Sequence, residues 1–175
     1  MKRVLTILTF IIALMAPARA FAEITFEGRI PYQLTSATDK VIGASGVGML
    51  ISYRWEAADT SLGWLIEEMN FTEKNSAGAN MKGIYHLDAI RIGKNIGDPA
   101  YIAADFGSVS SLMGHGNVVD VACGGRLLKS WDKFSSYLSL ELMYRFLDTR
   151  DSLAINGTAT TYSGAFLNIG VGVTF

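Results

Sequence analysis

A single cysteine, Cys123, leaves the 175-residue chain without an internal disulfide, so its stability must come from elsewhere. There are only two histidines, and no pair of His, Cys or carboxylate side chains has metal-site spacing, so neither a metal nor another cofactor is expected. The formal charge of −1 comes without a basic patch, which removes nucleic acid from the partners to consider. Long apolar runs are missing too: the one from Val4 to Ala16 falls short of the roughly 20 residues that a membrane-spanning helix needs. Few windows keep an apolar period of 3.6 residues. Yet half of the chain is hydrophobic, with nine Phe, seven Tyr and three Trp. Apolar content that is high but broken into short alternating segments points to strands.

The opening MKRVLTILTFIIALMAPARAFAE sets Lys2 and Arg3 before the apolar run and Ala20-Phe21-Ala22 after it. A charged start, a short apolar centre and small side chains before a cut describe a secretory leader. Cleavage after Ala22 is therefore expected, leaving residues 23–175 as one domain. The leader takes Lys2, Arg3 and Arg19 from the 15 Lys and Arg and nothing from the 16 Asp and Glu, moving the net charge from −1 to −4.

Eight segments follow a two-residue period. The last, AFLNIGVGVTF, puts Ala165, Leu167, Ile169, Val171, Val173 and Phe175 on one face against Asn168, Gly170, Gly172 and Thr174. In YLSLELMYRF (137–146), Leu138, Leu140, Leu142, Tyr144 and Phe146 oppose Ser139, Glu141, Met143 and Arg145. Val119, Val121, Cys123 and Leu127 oppose Asp120, Ala122, Gly124 and Arg126 in 118–128, and Ile102, Ala104 and Phe106 oppose Ala103, Asp105 and Gly107 in 101–112. In 45–55, Val47, Met49, Ile51, Tyr53 and Trp55 oppose Gly46, Gly48, Ser52 and Arg54. For GIYHLDAIRI (83–92) the favoured phase turns Tyr85, Leu87 and Ala89 outward and His86 and Asp88 inward. The neighbours Glu67 and Glu68 in 61–71 must face opposite ways, and Pro31 weakens 24–34 as the eighth strand.

Short connectors at 56–60, 94–99 and 129–134 alternate with mostly longer ones at 35–43, 73–82 and 148–160, 113–117 being the short exception. An even strand count with short turns on one side and longer loops on the other describes a bacterial outer-membrane barrel. In hydrocarbon an unpaired backbone group costs several kcal/mol, so such a sheet must close and leave no edge. A last strand ending on a bare Phe175 is suited to close it against the first. Aromatics are expected near the water boundaries, with Phe175, Trp55, Tyr53 and Tyr101 low and Tyr144, Phe146 and Phe71 high.

The terminal Phe175 with Val173 and Val171 at alternate positions resembles the C-terminal signal of bacterial outer-membrane barrels, which the barrel-assembly machinery reads in that group. The stretches YHLDAIRIGKNIGDPAYIAADFGSVSSLM (85–113) and VVDVACGGRLLKSWDKFSSYLSLELMYRFL (118–147) are similar to the PorT-type and OmpX/OmpW-like outer membrane protein beta-barrel domain families. The likeness covers roughly the last 130 residues and departs from the family pattern at Ala89, where a proline usually follows the inward acid. It implies an all-β, eight-stranded antiparallel up-and-down transmembrane barrel in a Gram-negative-type outer membrane, in contact with lipid and lipopolysaccharide. A soluble exported barrel with the inverse pattern is the competing architecture.

A barrel of eight strands is just wide enough for side chains to fill it. The lumen is expected to receive Arg54, Glu67, Asp88, Asp105, Asp120, Arg126, Glu141 and Arg145, with His86, as a structural polar network, since buried charges are tolerated when paired. Catalysis is not expected. Ser110 or Ser111 lies near His115 in MGHGN, but no acid stands at a local spacing to orient it. The expected role is structural or surface interaction in the cell envelope, with loops open to an extracellular ligand. A narrow route for small apolar solutes and a lipid A-modifying enzyme are the alternatives.

Overall fold

An alternating strand has one face to bury, and an open sheet leaves unmet backbone groups at each edge; a sheet that closes on itself answers both demands. The computed structural model describes residues 22–55, 58–131 and 134–175, and the leader expected over residues 1–22 lies outside them except for the backbone of Ala22. The strands are β1 (Ala22–Ser36), β2 (Val41–Trp55), β3 (Thr60–Lys74), β4 (Asn80–Gly97), β5 (Ala100–Ser110), β6 (His115–Ser130), β7 (Ser135–Thr149) and β8 (Gly164–Thr174). Each pairs antiparallel with the next and β8 pairs with β1, so the eight strands form one closed up-and-down ring.

The seam is formed where the sequence suggests it. The backbones of Ile24 and Phe175 exchange hydrogen bonds of 3.1 and 3.0 Å, and the hydroxyls of Thr25 and Thr174 lie 3.0 Å apart inside. Pro31 does not break β1; it is buried on the inner face, and pairing with β2 lapses between Arg29 and Tyr32, where proline offers no N–H.

One end of the ring carries the connectors 56–59, 98–99 and 131–134, the other those at 37–40, 75–79, 111–114 and 150–163. Two of the expected long loops shrink because strand continues into them: β2 begins at Val41, β3 runs to Lys74 and β4 starts at Asn80. The turn between β3 and β4 closes tightly because Asn75 Oδ1 accepts from the N–H groups of Ala77 (3.0 Å) and Ala79 (2.9 Å), with Gly78 at φ +78°. Only 150–163 is long, and it folds back over its end of the ring. This is the upper end of the ring.

The expected faces of 45–55, 101–112, 118–128, 137–146 and 165–175 agree with the structure. That of 83–92 is reversed: Tyr85, Leu87 and Ala89 are buried inside, while His86 and Asp88 are exposed on the outer wall. Both faces of this strand carry apolar residues, so alternation does not choose between them. Arg91, on the same face as Tyr85, finds its carboxylate partner inside, and outside, Ile90 and Ile92 join the apolar wall. Two aromatics also move inward. Phe71 packs on Tyr85 and Tyr162, and Tyr101 donates to Glu141.

The other aromatics expected at the boundaries do stand on the outer wall. Phe26, Phe134 and Phe175 cluster at the lower end with Trp131, near Tyr53 and Trp55, and Tyr144 packs on Phe146 above. Between them the outer positions of β7, Leu138 to Phe146, are all apolar. Inside, small residues make room for large ones: a side chain at Gly172 would run into the ring of Tyr137, and one at Gly124 into that of Tyr101.

Candidate functional site

The interior is organised around two charged centres. In the upper one Arg145, fully buried, donates from Nη2 to Glu67 (2.7 Å) and Asp120 (2.8 Å), from Nε to both oxygens of Asp120 (3.1 Å each), and from Nη1 to the Tyr85 hydroxyl (3.3 Å). Its guanidinium also lies over the Phe166 ring. In the lower one Glu141 accepts from Arg29, Arg91, Asn168 Nδ2 (2.9 Å) and the Tyr101 hydroxyl (3.0 Å). Below it Glu27 accepts from Tyr137 (2.6 Å) and Ser139 (3.0 Å). Asp105, 3.4 Å from Arg91 Nε, finds no hydrogen-bond partner for either oxygen among the described residues and stands across the ladder from Asp120. Glu67, Asp105, Asp120 and Arg145 are each 0–1 % exposed, so the ring is closed to solvent at this level.

Of the residues expected in this network, Glu67, Asp105, Asp120, Glu141 and Arg145 lie within it. Arg126 points inward at the lower mouth, half-buried, its guanidinium over the rings of Tyr101 and Tyr137. Arg54 is at the lower rim, 3.3 Å from both Glu23 and Asp59. Asp88 is outside, a correction that follows from the reversed phase of β4, and His86 goes with it. Glu27, Arg29 and Arg91 escape a reading by pattern: the first two sit in the strand that Pro31 obscures, the third in the strand whose phase is ambiguous. The residues Glu27 and Arg29, two apart, carry the detectable signal, because only one face of β1 can hold both. Phe175, Val173 and Val171 line the outer wall along the seam.

A further acid, Glu73, closes the upper mouth. The 150–163 connector buries Leu153, Ala154, Ala159 and Tyr162, and Glu73 holds it by accepting from the Tyr162 hydroxyl (2.6 Å), Ser152 Oγ (2.9 Å) and the N–H of Thr158 (2.8 Å). Burial, with the bond to Glu73 second, pushes the Tyr162 hydroxyl above the ordinary tyrosine range. The protonated form is the one favoured by folding, so the latch is at full strength below pH ~10, where free tyrosine titrates, and weakens only as the pH rises beyond it. Tyr162→Phe leaves part of Glu73 without its donor, which costs about 1–3 kcal/mol. The expected result is faster proteolysis and amide exchange within residues 150–163, with the exchange of β3 to β6 unchanged.

On the outer wall, just above the apolar belt, the ladder sets Glu68 of β3 across from His86 of β4, His86 across from Ser110 of β5, and Ser110 across from His115 of β6. His86 Nδ1 lies 3.5 Å from Glu68 Oε2. Glu68, His86 and Ser110 share a recess of about 580 Å³ with Lys82, whose apolar side is formed by Ile84, Leu112, Met113, Leu153 and Ile155. Local spacing could not show this row, because its four members lie on four strands. Among the described residues no cluster of three or more His, Cys, Asp or Glu is arranged to hold a metal ion. Compared with known proteins, the chain matches no family model and no curated sequence.

Proposed function

We propose that the ring is a transmembrane β-barrel of a bacterial outer membrane, exported through a cleaved leader, with a closed interior and a structural or surface-interaction role in the envelope. The observation that carries this reading is where the apolar side chains are exposed. Acids and arginines are buried inside among apolar side chains, while Phe26, Ile30, Trp64, Ile90, Phe106, Val121, Leu140 and Val171 lie exposed on the wall. A water-soluble monomer rarely shows so continuous an apolar belt. The aromatics at both limits and the run from Leu138 to Phe146, close to the roughly 9–11 residues of a tilted spanning strand, favour lipid as its neighbour.

In this reading the end capped by 150–163 faces outward, where lipopolysaccharide and any extracellular ligand are met. Phe175, Val173 and Val171 present the signal for the assembly machinery. The dry charged centres and the Glu73 latch favour a silent barrel over a route for small apolar solutes. Two measurements test it. The protein refolded in detergent should migrate faster on a gel before boiling than after, and planar bilayers containing it should show no defined conductance steps. Stable solubility of residues 23–175 without detergent would overturn the membrane assignment, and regular conductance steps would overturn the closed interior.

A further inference from the structure

We propose that Glu68, His86 and Ser110 form an acyl-ester hydrolase site on the outer wall, directed at lipids with an anionic headgroup. The row has the order of a nucleophilic triad laid across three strands: acid, imidazole, hydroxyl. The imidazole presents Nδ1 to Glu68, 3.5 Å away, which leaves Nε2 for the strand on its other side, where Ser110 stands. Directly opposed residues of an antiparallel pair have Cβ atoms about 5 Å apart, so a rotamer change brings the Ser110 hydroxyl within hydrogen-bond reach of Nε2. All three are exposed and line one recess. Glu68 acts as a positioning residue, fixing the tautomer that leaves Nε2 free to accept a proton.

The recess sets the substrate class. Lys82 supplies positive charge at one side, and Leu112, 94 % exposed, Met113 and Ile155 supply an apolar wall at the other. An amphiphile whose headgroup is anionic and whose acyl chain lies along the wall fits both. The placement just above the apolar belt rests on the membrane reading, because there the ester linkages of a lipid lie level with Ser110.

The chemistry balances with water as the co-reactant. Ser110 Oγ attacks the ester carbonyl carbon as His86 Nε2 takes its proton. The tetrahedral adduct collapses, the C–O bond to the headgroup breaks, and the leaving alkoxide takes the proton from His86. Water, deprotonated by the same nitrogen, then attacks the acyl-Ser110 ester. The fatty acid leaves, and the proton returns to Ser110 Oγ.

The test uses residues 23–175 folded in detergent, with 4-nitrophenyl decanoate in micelles as the first probe and a fluorophosphonate as a label for the nucleophile. Ser110→Ala and His86→Ala should each lower turnover by roughly 100-fold or more, the scale of losing a nucleophile or its base. Both should abolish labelling while the heat-dependent gel shift persists. Glu68→Gln should lower kcat with little change in KM, and Ser108→Ala, one step down the wall, should match the unaltered protein. Vesicles of phosphatidylglycerol and, separately, lipopolysaccharide identify the anionic source. Lys82→Gln should raise KM for whichever is cleaved and leave the neutral 4-nitrophenyl ester unaffected. Absence of both turnover and labelling in protein that shows the gel shift would overturn the site and leave the barrel standing. Activity that survives His86→Ala but is lost in His115→Ala would overturn the assignment of the base.

Discussion

Arg145→Leu should lower the unfolding free energy of the detergent-folded protein by about 3–5 kcal/mol, the cost of leaving a buried pair without one partner. Arg145 is the only cation that hydrogen-bonds Glu67 and Asp120 among the described residues, and all three are out of reach of water. Leucine at 145 would strand two carboxylates in a closed interior, and Tyr85 would lose the donor at 3.3 Å. Urea titration followed by tryptophan fluorescence measures the loss. The same leucine combined with Glu67→Gln and Asp120→Asn should recover part of it, because the triple change removes the stranded charges and not only their partner. Lysine at 145 should lie between, keeping the charge but losing the fork that reaches both acids. A loss under about 1 kcal/mol for the single change would mean that water reaches these groups, contrary to the closed interior.

The second large effect concerns the outer wall. Leu140 is 56 % exposed in the middle of the belt, midway between Leu138 and Leu142, and contributes little to the interior. In a water-soluble ring Leu140→Arg would be close to neutral, since surface changes usually stay within ±0.5 kcal/mol. In a bilayer the same change should cost about 2–4 kcal/mol, falling toward zero for positions at the belt's edge such as Phe175→Arg. Stability measured for Arg at 140, at 144 and at 175 in phospholipid vesicles should therefore follow depth. A flat series, with no dependence on position along the wall, would argue for a solvent other than lipid.

Much of the ring can be read from single strands. Leu138 to Phe146 alternates so regularly that its faces admit one reading, and Asp120 and Arg126 on β6 declare the inner face in the same way. Pairing between them is also accessible, since Asp120 and Arg145 lie on neighbouring strands joined by a compact turn. The reading fails where a strand is greasy on both sides, as β4 is, or where a proline interrupts the pattern, as in β1. Those two strands carry Arg29 and Arg91, so the Glu141 centre was only half visible. Glu73 falls in the expected connector 73–82, because nothing in its neighbourhood tells that a connector some 80 residues later folds back onto it.

By itself the sequence determined that eight alternating segments follow one another, that in those with a clear phase charge lies on one face and oil on the other, and that the last segment is fit to meet the first. These are properties of a two-residue period, fixed locally by the geometry of the extended backbone. Tertiary structure alone decided the phase of β4, the lid held by Glu73, and the alignment of Glu68, His86 and Ser110. Register between strands depends on turn length and on which side chains fill the shared interior, so residues far apart in the chain become neighbours only when the ring is closed.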